Sequence, residues 1–211
     1  MAQERLKSPR ARLFVALDLP GRIRTGLEAW GAEALADPAL RPVAGESLHV
    51  TLCFLGFTPE KRIEEAAEVL AAVRPRPVTL TLAPGPAGRP AKKPRLFAIQ
   101  AESPAGLELQ AELSTELEAR HLYKPERRPF WPHVTVARVR PERGGGRRPR
   151  RVESPPGELP QELVHTFASV RVSLYRSNLR PEGAQYVSLA SVNLPPGSSE
   201  PGGEEVIDED G

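Results

Sequence analysis

Two histidines in this 211-residue chain each stand two positions before a threonine, and each motif closes on an aliphatic residue. They are His49-Val50-Thr51-Leu52 within SLHVTLCFLG and His133-Val134-Thr135-Val136 within FWPHVTVARVR. Imidazole titrates near neutral pH, so one copy can hold a proton while the other is bare. The neighbouring hydroxyls add two hydrogen-bond donors. An acid, a base and two donors converging on one reacting group suit phosphate chemistry. Strand alternation would aim them together: His49 and Thr51 face one way while Leu48, Val50 and Leu52 face a core, and the second copy repeats this with Val134 and Val136 beneath.

Length and composition narrow the class of protein. A chain of 211 residues forms one large domain or two small lobes, either able to bury a core. Cys53 is the only cysteine, which excludes an intramolecular disulfide and a thiolate metal cluster and fits a reducing, cytoplasmic setting. No apolar run reaches membrane-spanning length, and MAQERLKSPR lacks the apolar core of a signal peptide. The formal charge of +2 conceals a separation, because residues 195–211 hold six acidic and no basic groups and the remainder therefore carries about +8. Its cations gather around Arg89 to Arg95, Lys124 to Arg128 and Arg138 to Arg151. Such a surface attracts phosphate backbones.

The elements that must position the motifs can be placed by pattern. A first strand is expected over 12–19, ended by Pro20-Gly21, then a helix to about 36 with Ile23, Leu27, Trp30 and Leu35 inward. The first His/Thr strand ends at Gly56, and Thr58-Pro59 reads as the cap of a helix running to about 73. Strands near 77–83 and 95–101 bracket PGPAGRPAKK, expected to be an irregular basic hairpin tip. A helix from Ser103-Pro104 to about His121 takes most of its apolar positions from Leu107, Leu109, Leu113 and Leu117, and the second His/Thr strand covers 132–139. Residues 140–160 read as a mobile Gly/Pro/Arg linker, followed by strands near 163–175 and 184–193. Residues 1–10 read as a flexible N-terminus, 11–194 as the folded domain and 195–211 as a disordered acidic tail. Strand, helix, His/Thr strand and helix thus occur twice, which implies two lobes about a pseudo-twofold axis with the cleft between them.

These blocks resemble the 2H phosphoesterases, specifically the bacterial RNA 2′,3′-cyclic phosphodiesterases also called 2′-5′ RNA ligases. The resemblance spans about 11–194 and rests on RLFVALDLP, LHVTLCFLG, PHVTVARVR and SLYRSNLRPEGAQYVSLASVNL. It implies an α+β, bilobal fold, with antiparallel sheets lining a central cleft and helices outside. It also implies hydrolysis of a cyclic phosphate to a 2′-phosphate with no metal and no cofactor, His49 as proton donor, His133 as acceptor, and Thr51 and Thr135 on the phosphate oxygens. Arg138 and Phe54, each five positions after its histidine, would contact the nucleotide. Periodicity objects, because an odd offset puts both on the opposite face unless a bulge intervenes. The partner would be RNA with a 2′,3′-cyclic phosphate end or a cyclic nucleotide, a nucleoside triphosphate being a further ligand to consider, and the protein would act as a monomer.

Competing readings remain in the residues themselves. Reversible joining or cleavage of 2′-5′ linkages uses the same groups, and an RNA-binding protein could use the basic loops without catalysis. His121 reads as a helix-end cation and His165 as a strand residue, neither within a second motif. Cys53 alternates onto the face of His49 but suits a buried filler. Phe130 and Trp131 could stack on a base or pack beside Pro132. The histidines lack the local spacing of zinc sites.

Overall fold

In the computed structural model, which describes residues 9–142, 148–180 and 183–197, ten antiparallel strands join in one continuous sheet. The strands are β1 (Arg10–Asp18), β2 (Leu40–Pro42), β3 (His49–Pro59), β4 (Thr79–Leu82), β5 (Ala87–Arg89), β6 (Leu96–Glu102), β7 (His133–Val139), β8 (Thr166–Ala168), β9 (Arg171–Arg180) and β10 (Gly183–Asn193). Their spatial order is β10-β9-β1-β3-β7-β6-β4-β8, with β2 added to β7 and β5 to β6. β1 is buried along almost its whole length because it lies between β9 and β3, which is why its sequence is apolar nearly throughout. Residues 1–8 and 198–211, the bulk of the expected flexible ends, lie outside the described residues.

The helices follow their apolar spacing. α1 (Gly21–Ala34) buries Ile23, Leu27 and Trp30, at helical intervals, and Leu35 is buried just beyond it. α2 (Ile63–Ala71) packs against β9, β10 and α3 (Pro104–Ala119). α3 starts as expected, with the Ser103 hydroxyl accepting from Gly106 N at 2.9 Å and Pro104 in the first turn. It buries Leu109, Leu113 and Leu117, but Leu107 lies off that stripe and is exposed. His121 follows its last turn in a left-handed conformation.

The internal duplication is real at the centre and breaks at the edges. β1–α1–β3 and β6–α3–β7 are equivalent units, and their last strands meet side by side through one paired position, Val50 with Val134. Among the described residues no α-helix follows β7, only a 3₁₀ turn at Gln161–Leu163 beyond the Arg-rich segment.

Other expectations need correction, among them the strand near 163–175, which divides into a 3₁₀ turn at Gln161–Leu163, β8 and the start of β9. Thr58 caps no helix, since β3 continues to Pro59 with Thr58 paired to Ala11, and a 3₁₀ turn at Glu60–Arg62 precedes α2. The basic hairpin tip is not wholly irregular: β5 lies within it and pairs with β6. The segment 140–160 is pinned where it is described. Pro141 bridges Pro149, Asp37 Oδ2 accepts from the amides of Glu153 and Ser154 at 2.8 and 2.9 Å, and Trp30 Nε1 donates to Glu158 O at 2.9 Å. Leu159 is buried there, so an apolar anchor holds what composition alone reads as mobile; residues 143–147 lie outside the described residues. The N-terminal boundary also moves, because Arg10 already belongs to β1.

Candidate active site

The single rung between β3 and β7 sets the site. With Val50 opposite Val134 in an antiparallel pair, His49 lies across from Thr135 and Thr51 across from His133, all four on the face opposite the two fully buried valines. The four residues named from the motifs are therefore brought together.

The odd-offset problem is solved twice by the same device. In β3, Ala16 pairs with Thr51 and Val15 with Cys53, so Leu52 is an extra, bulged residue. In β7, Thr135 pairs with Ala98 and Ala137 with Phe97, so Val136 is the bulge. Each bulge falls on the last residue of its motif and rotates the residue five after the histidine back onto the histidine face. Phe54 accordingly lines the cleft, 42% exposed rather than in the core, and Arg138 is exposed on the same face. Cys53 moves the other way: it pairs with Val15 on the core side and is fully buried, and burial pushes its thiol up to about 12. A second bulge, at Leu55, is followed by Gly56 in the left-handed region, φ +68°, which suits glycine.

Both imidazoles are held alike. His49 Nδ1 is 2.8 Å from Ser47 O and His133 Nδ1 is 2.7 Å from Trp131 O, two residues upstream in each case. A carbonyl only accepts, so Nδ1 carries the proton in both neutral rings and Nε2 is left for chemistry. In His49 that nitrogen accepts from Thr51 Oγ1 at 3.0 Å.

The surroundings differ. Phe14 stacks on His49 with ring centres 4.9 Å apart, and Tyr186 meets it edge-on at 5.2 Å. Behind it lies Asp18, the β1 residue paired with His49, accepting from Tyr175 OH at 2.7 Å, Ser173 Oγ at 3.0 Å and Arg171 Nε. His133 instead stacks on Trp131 at 4.2 Å, and the Arg89 guanidinium lies 4.4 Å from the Trp131 ring centre. Burial lowers His49 to about 4; the Ser47 carbonyl and Asp18 oppose this, while His133 and Arg138 add to it. His133 is lowered by burial and by Arg89, against the Trp131 carbonyl.

The pH dependence of stability follows from these directions. Both histidines bind protons more weakly when folded, so below about 6.5, and for His49 down to about 4, the unfolded chain takes up protons that the native chain refuses. Their contribution to stability is complete above pH 6.5 and is lost as pH falls, by up to about 1.4 kcal/mol per pH unit for a fully shielded group and less for these partly exposed rings. Urea midpoints should fall between pH 7 and 5, and more shallowly in His49→Gln. An unchanged slope in that variant would rule out His49 as the source.

Two hollows flank the histidines. One of about 460 Å³ is lined by Thr51, Phe54, Gln110, Tyr123, Trp131 and His133, among others. The second, about 390 Å³, includes Arg41, Ser47, Arg138 and Tyr186. Trp131 therefore belongs to the cleft rather than the core. Sequence reasoning missed Phe14, Asp18, Tyr175 and Tyr186; an acid ending an otherwise apolar strand was the one local signal, at Asp18. His121 and His165 stay outside the site: the carbonyl of the first accepts from Arg62 Nη1 at 3.2 Å, and the second is exposed with its ring edge toward Phe167.

A doubled His-x-Thr strand pair at the centre of one antiparallel sheet is the arrangement of a 2H phosphoesterase. The model of the 2′-5′ RNA ligase superfamily matches residues 19–152, and the chain belongs to that family. The RNA 2′,3′-cyclic phosphodiesterase of Escherichia coli K12 is 37% identical over 128 residues, 60% of this chain and 71% of that protein. The protein of the same name from Methanothermobacter thermautotrophicus is 30% identical over 194 residues, 88% of this chain and 100% of its own. Among solved structures, TT0787 of Thermus thermophilus superposes with a TM-score of 0.71 at 28% identity, covering 87% of this chain and 97% of that one. Escherichia coli LigT complexed with 3′-AMP gives 0.69 at 27% identity, covering 88% and 99%. No helix among the described residues is long and apolar enough to cross a membrane.

Proposed function

We propose that this enzyme hydrolyses RNA or nucleoside 2′,3′-cyclic phosphates to 2′-phosphates, with His49 and His133 as acid and base. The observation that carries it is the pair of imidazoles whose Nδ1 atoms are tied to backbone carbonyls and whose Nε2 atoms are left for proton transfer, each two residues before a threonine, on one face at the β3–β7 rung. Water attacks phosphorus as His133 Nε2 takes its proton; the P–O3′ bond breaks and His49 Nε2 gives a proton to O3′. Thr51 and Thr135 donate to the non-bridging oxygens as charge builds on them. Asp18 behind His49 favours its protonated form once a phosphate anion faces it, and Arg89 beside His133 favours the bare form. Phe54 offers an exposed ring to the base and Arg138 a cation to the phosphate side. Both motifs reside in one chain, so a monomer suffices. A reducing, cytoplasmic setting agrees with a lone buried cysteine.

The test is a nucleoside 2′,3′-cyclic phosphate in excess EDTA, with the product resolved as 2′- or 3′-phosphate. Turnover to the 2′-phosphate is expected. Loss on chelation, restored by a divalent ion, would overturn the metal-free mechanism, and a 3′-phosphate product would reverse the leaving group.

A further inference from the structure

The sheet face that carries the histidines continues past Phe54. In β1, Arg10 and Arg12 alternate onto the same face as Phe14, which stacks on His49. In β3 the bulge at Leu55 keeps Phe57 on that face, because Phe54 pairs with Phe14 and Phe57 with Arg12. The Arg12 guanidinium lies 4.7 Å from the Phe54 ring centre and donates to Ser177 Oγ at 3.0 Å. Arg10 donates to Phe57 O. Ring, cation, ring and cation thus follow one another from the catalytic rung toward the end of β3, as Phe54, Arg12, Phe57 and Arg10. Phe57 is 59% exposed and Phe54 42%, and among the described residues no other aromatic ring is as open to solvent. Keeping two phenyl rings in water is unfavourable, and folding alone does not require it. Arg10 and Arg12 have no ion-pair partner among the described residues, so their charge is uncommitted.

From this row we infer a stacking track for the nucleotides that precede the cyclic end of an RNA strand, an assignment that rests on the cyclic phosphodiesterase reading. Continuity with the cleft supports it twice. The row shares one face of β1 and β3 with His49, Thr51 and Phe54. A hollow of about 500 Å³, lined by Arg10, Phe57, His121 and Lys124 among others, also shares Tyr123 with the hollow that holds Thr51, Phe54 and His133. Glu118 is the one acid in its lining, and Arg62 there is committed to Glu65. Phe57 stands two β1 residues beyond Phe54, about 7 Å, so the two rings can serve neighbouring nucleotides. Phe57 takes a base and Arg10 a phosphate. A ring stacks on any base and a cation meets any phosphate, so the track reads the length of the strand and not its sequence. A cyclic mononucleotide has no second base to place on Phe57.

Phe57 is exposed, so its replacement leaves the core intact. Binding of a 3′-hydroxyl oligouridylate, followed by fluorescence anisotropy at about 50 mM salt, should weaken about tenfold in Phe57→Ala with the salt slope unchanged. Phe57→Leu should lose as much, and Phe57→Trp should stay within about twofold of the parent. Arg10→Gln should make the log–log salt slope shallower by about 0.7, the value for one single-strand phosphate contact. Turnover of a cyclic mononucleotide should stay within about twofold of the parent in Phe57→Ala. Unchanged RNA binding in Phe57→Ala, full retention in Phe57→Leu, or an equal loss on the mononucleotide would overturn the track. So would a concentration-dependent dimer of the parent that Phe57→Ala dissolves without weakening RNA binding, since the ring would then belong to a contact between copies. Failure of the parent to open the cyclic mononucleotide would instead sink the catalytic reading, because the track is judged on RNA binding.

Discussion

Alanine at His49 or at His133 is expected to lower turnover of a 2′,3′-cyclic phosphate by about 10² or more while the protein remains folded, the scale of losing a general acid or base. Both side chains stand on the cleft face and are only partly buried, so their removal leaves the apolar side of the sheet intact. Circular dichroism and urea unfolding report the fold; initial rates report the chemistry. The division of roles is separable by pH. Arg89 holds the His133 pKa down, so Arg89→Gln should raise it. If His133 is the base, its bare form is required and the acidic limb of kcat/KM against pH moves upward; movement of the alkaline limb instead would assign His133 as the acid. Near-parental activity in either alanine variant would remove that residue from the mechanism.

Loss of the Asp18 carboxylate should produce the largest change in stability. Asp18 is 8% exposed and accepts hydrogen bonds from Arg171, Ser173 and Tyr175, three β9 residues converging on the end of β1. Burial and the bond to Asp18 push the Tyr175 phenol up to about 12, so it remains a donor throughout the working range. Asp18→Ala leaves two hydroxyls without their acceptor and a guanidinium without its counter-ion. Breaking a buried ion pair costs about 3–5 kcal/mol, but the Arg171 side chain is 45% exposed and can turn toward water, so about 2–3 kcal/mol is expected. In a chain of this size that lowers Tm by roughly 5–10 °C. A change below about 0.5 kcal/mol would mean that the cluster is no stronger than an ordinary surface pair.

How much of this was legible in the sequence depended on range. The spacing of Ile23, Leu27 and Trp30 is local and marks α1, and Ser103-Pro104 marks the start of α3 through groups within one turn. The motif residues His49, Thr51, His133 and Thr135 were readable because alternation and repetition are local too. Phe54 and Arg138 were readable only by likeness to a family, since neither Leu52 nor Val136 differs in kind from an ordinary strand residue and the bulge exists only against a partner strand. The same cause misplaced Cys53. Asp18, Tyr175 and Tyr186 reach the cleft from strands that are distant in the chain, and β5 is concealed by the Pro and Gly around it. The segment after β7 looks mobile by composition, yet Asp37 and Trp30, contacts of high sequence separation, hold it down.

A full ladder would fix two neighbouring strands about 4.8 Å apart along its length, but β3 and β7 share one rung. The reach of one imidazole toward the other is therefore gauged by how Val50 and Val134, both fully buried, sit on the interior beneath them. The protein works as a caliper whose jaws carry the chemistry and whose adjusting screw is apolar volume. A change of side-chain volume under the rung is felt by the backbone that carries both histidines, although none of the polar atoms of the site is altered. Interior packing and the spacing of the two histidines thus share the same two residues, aliphatic side chains on the face turned away from the cleft.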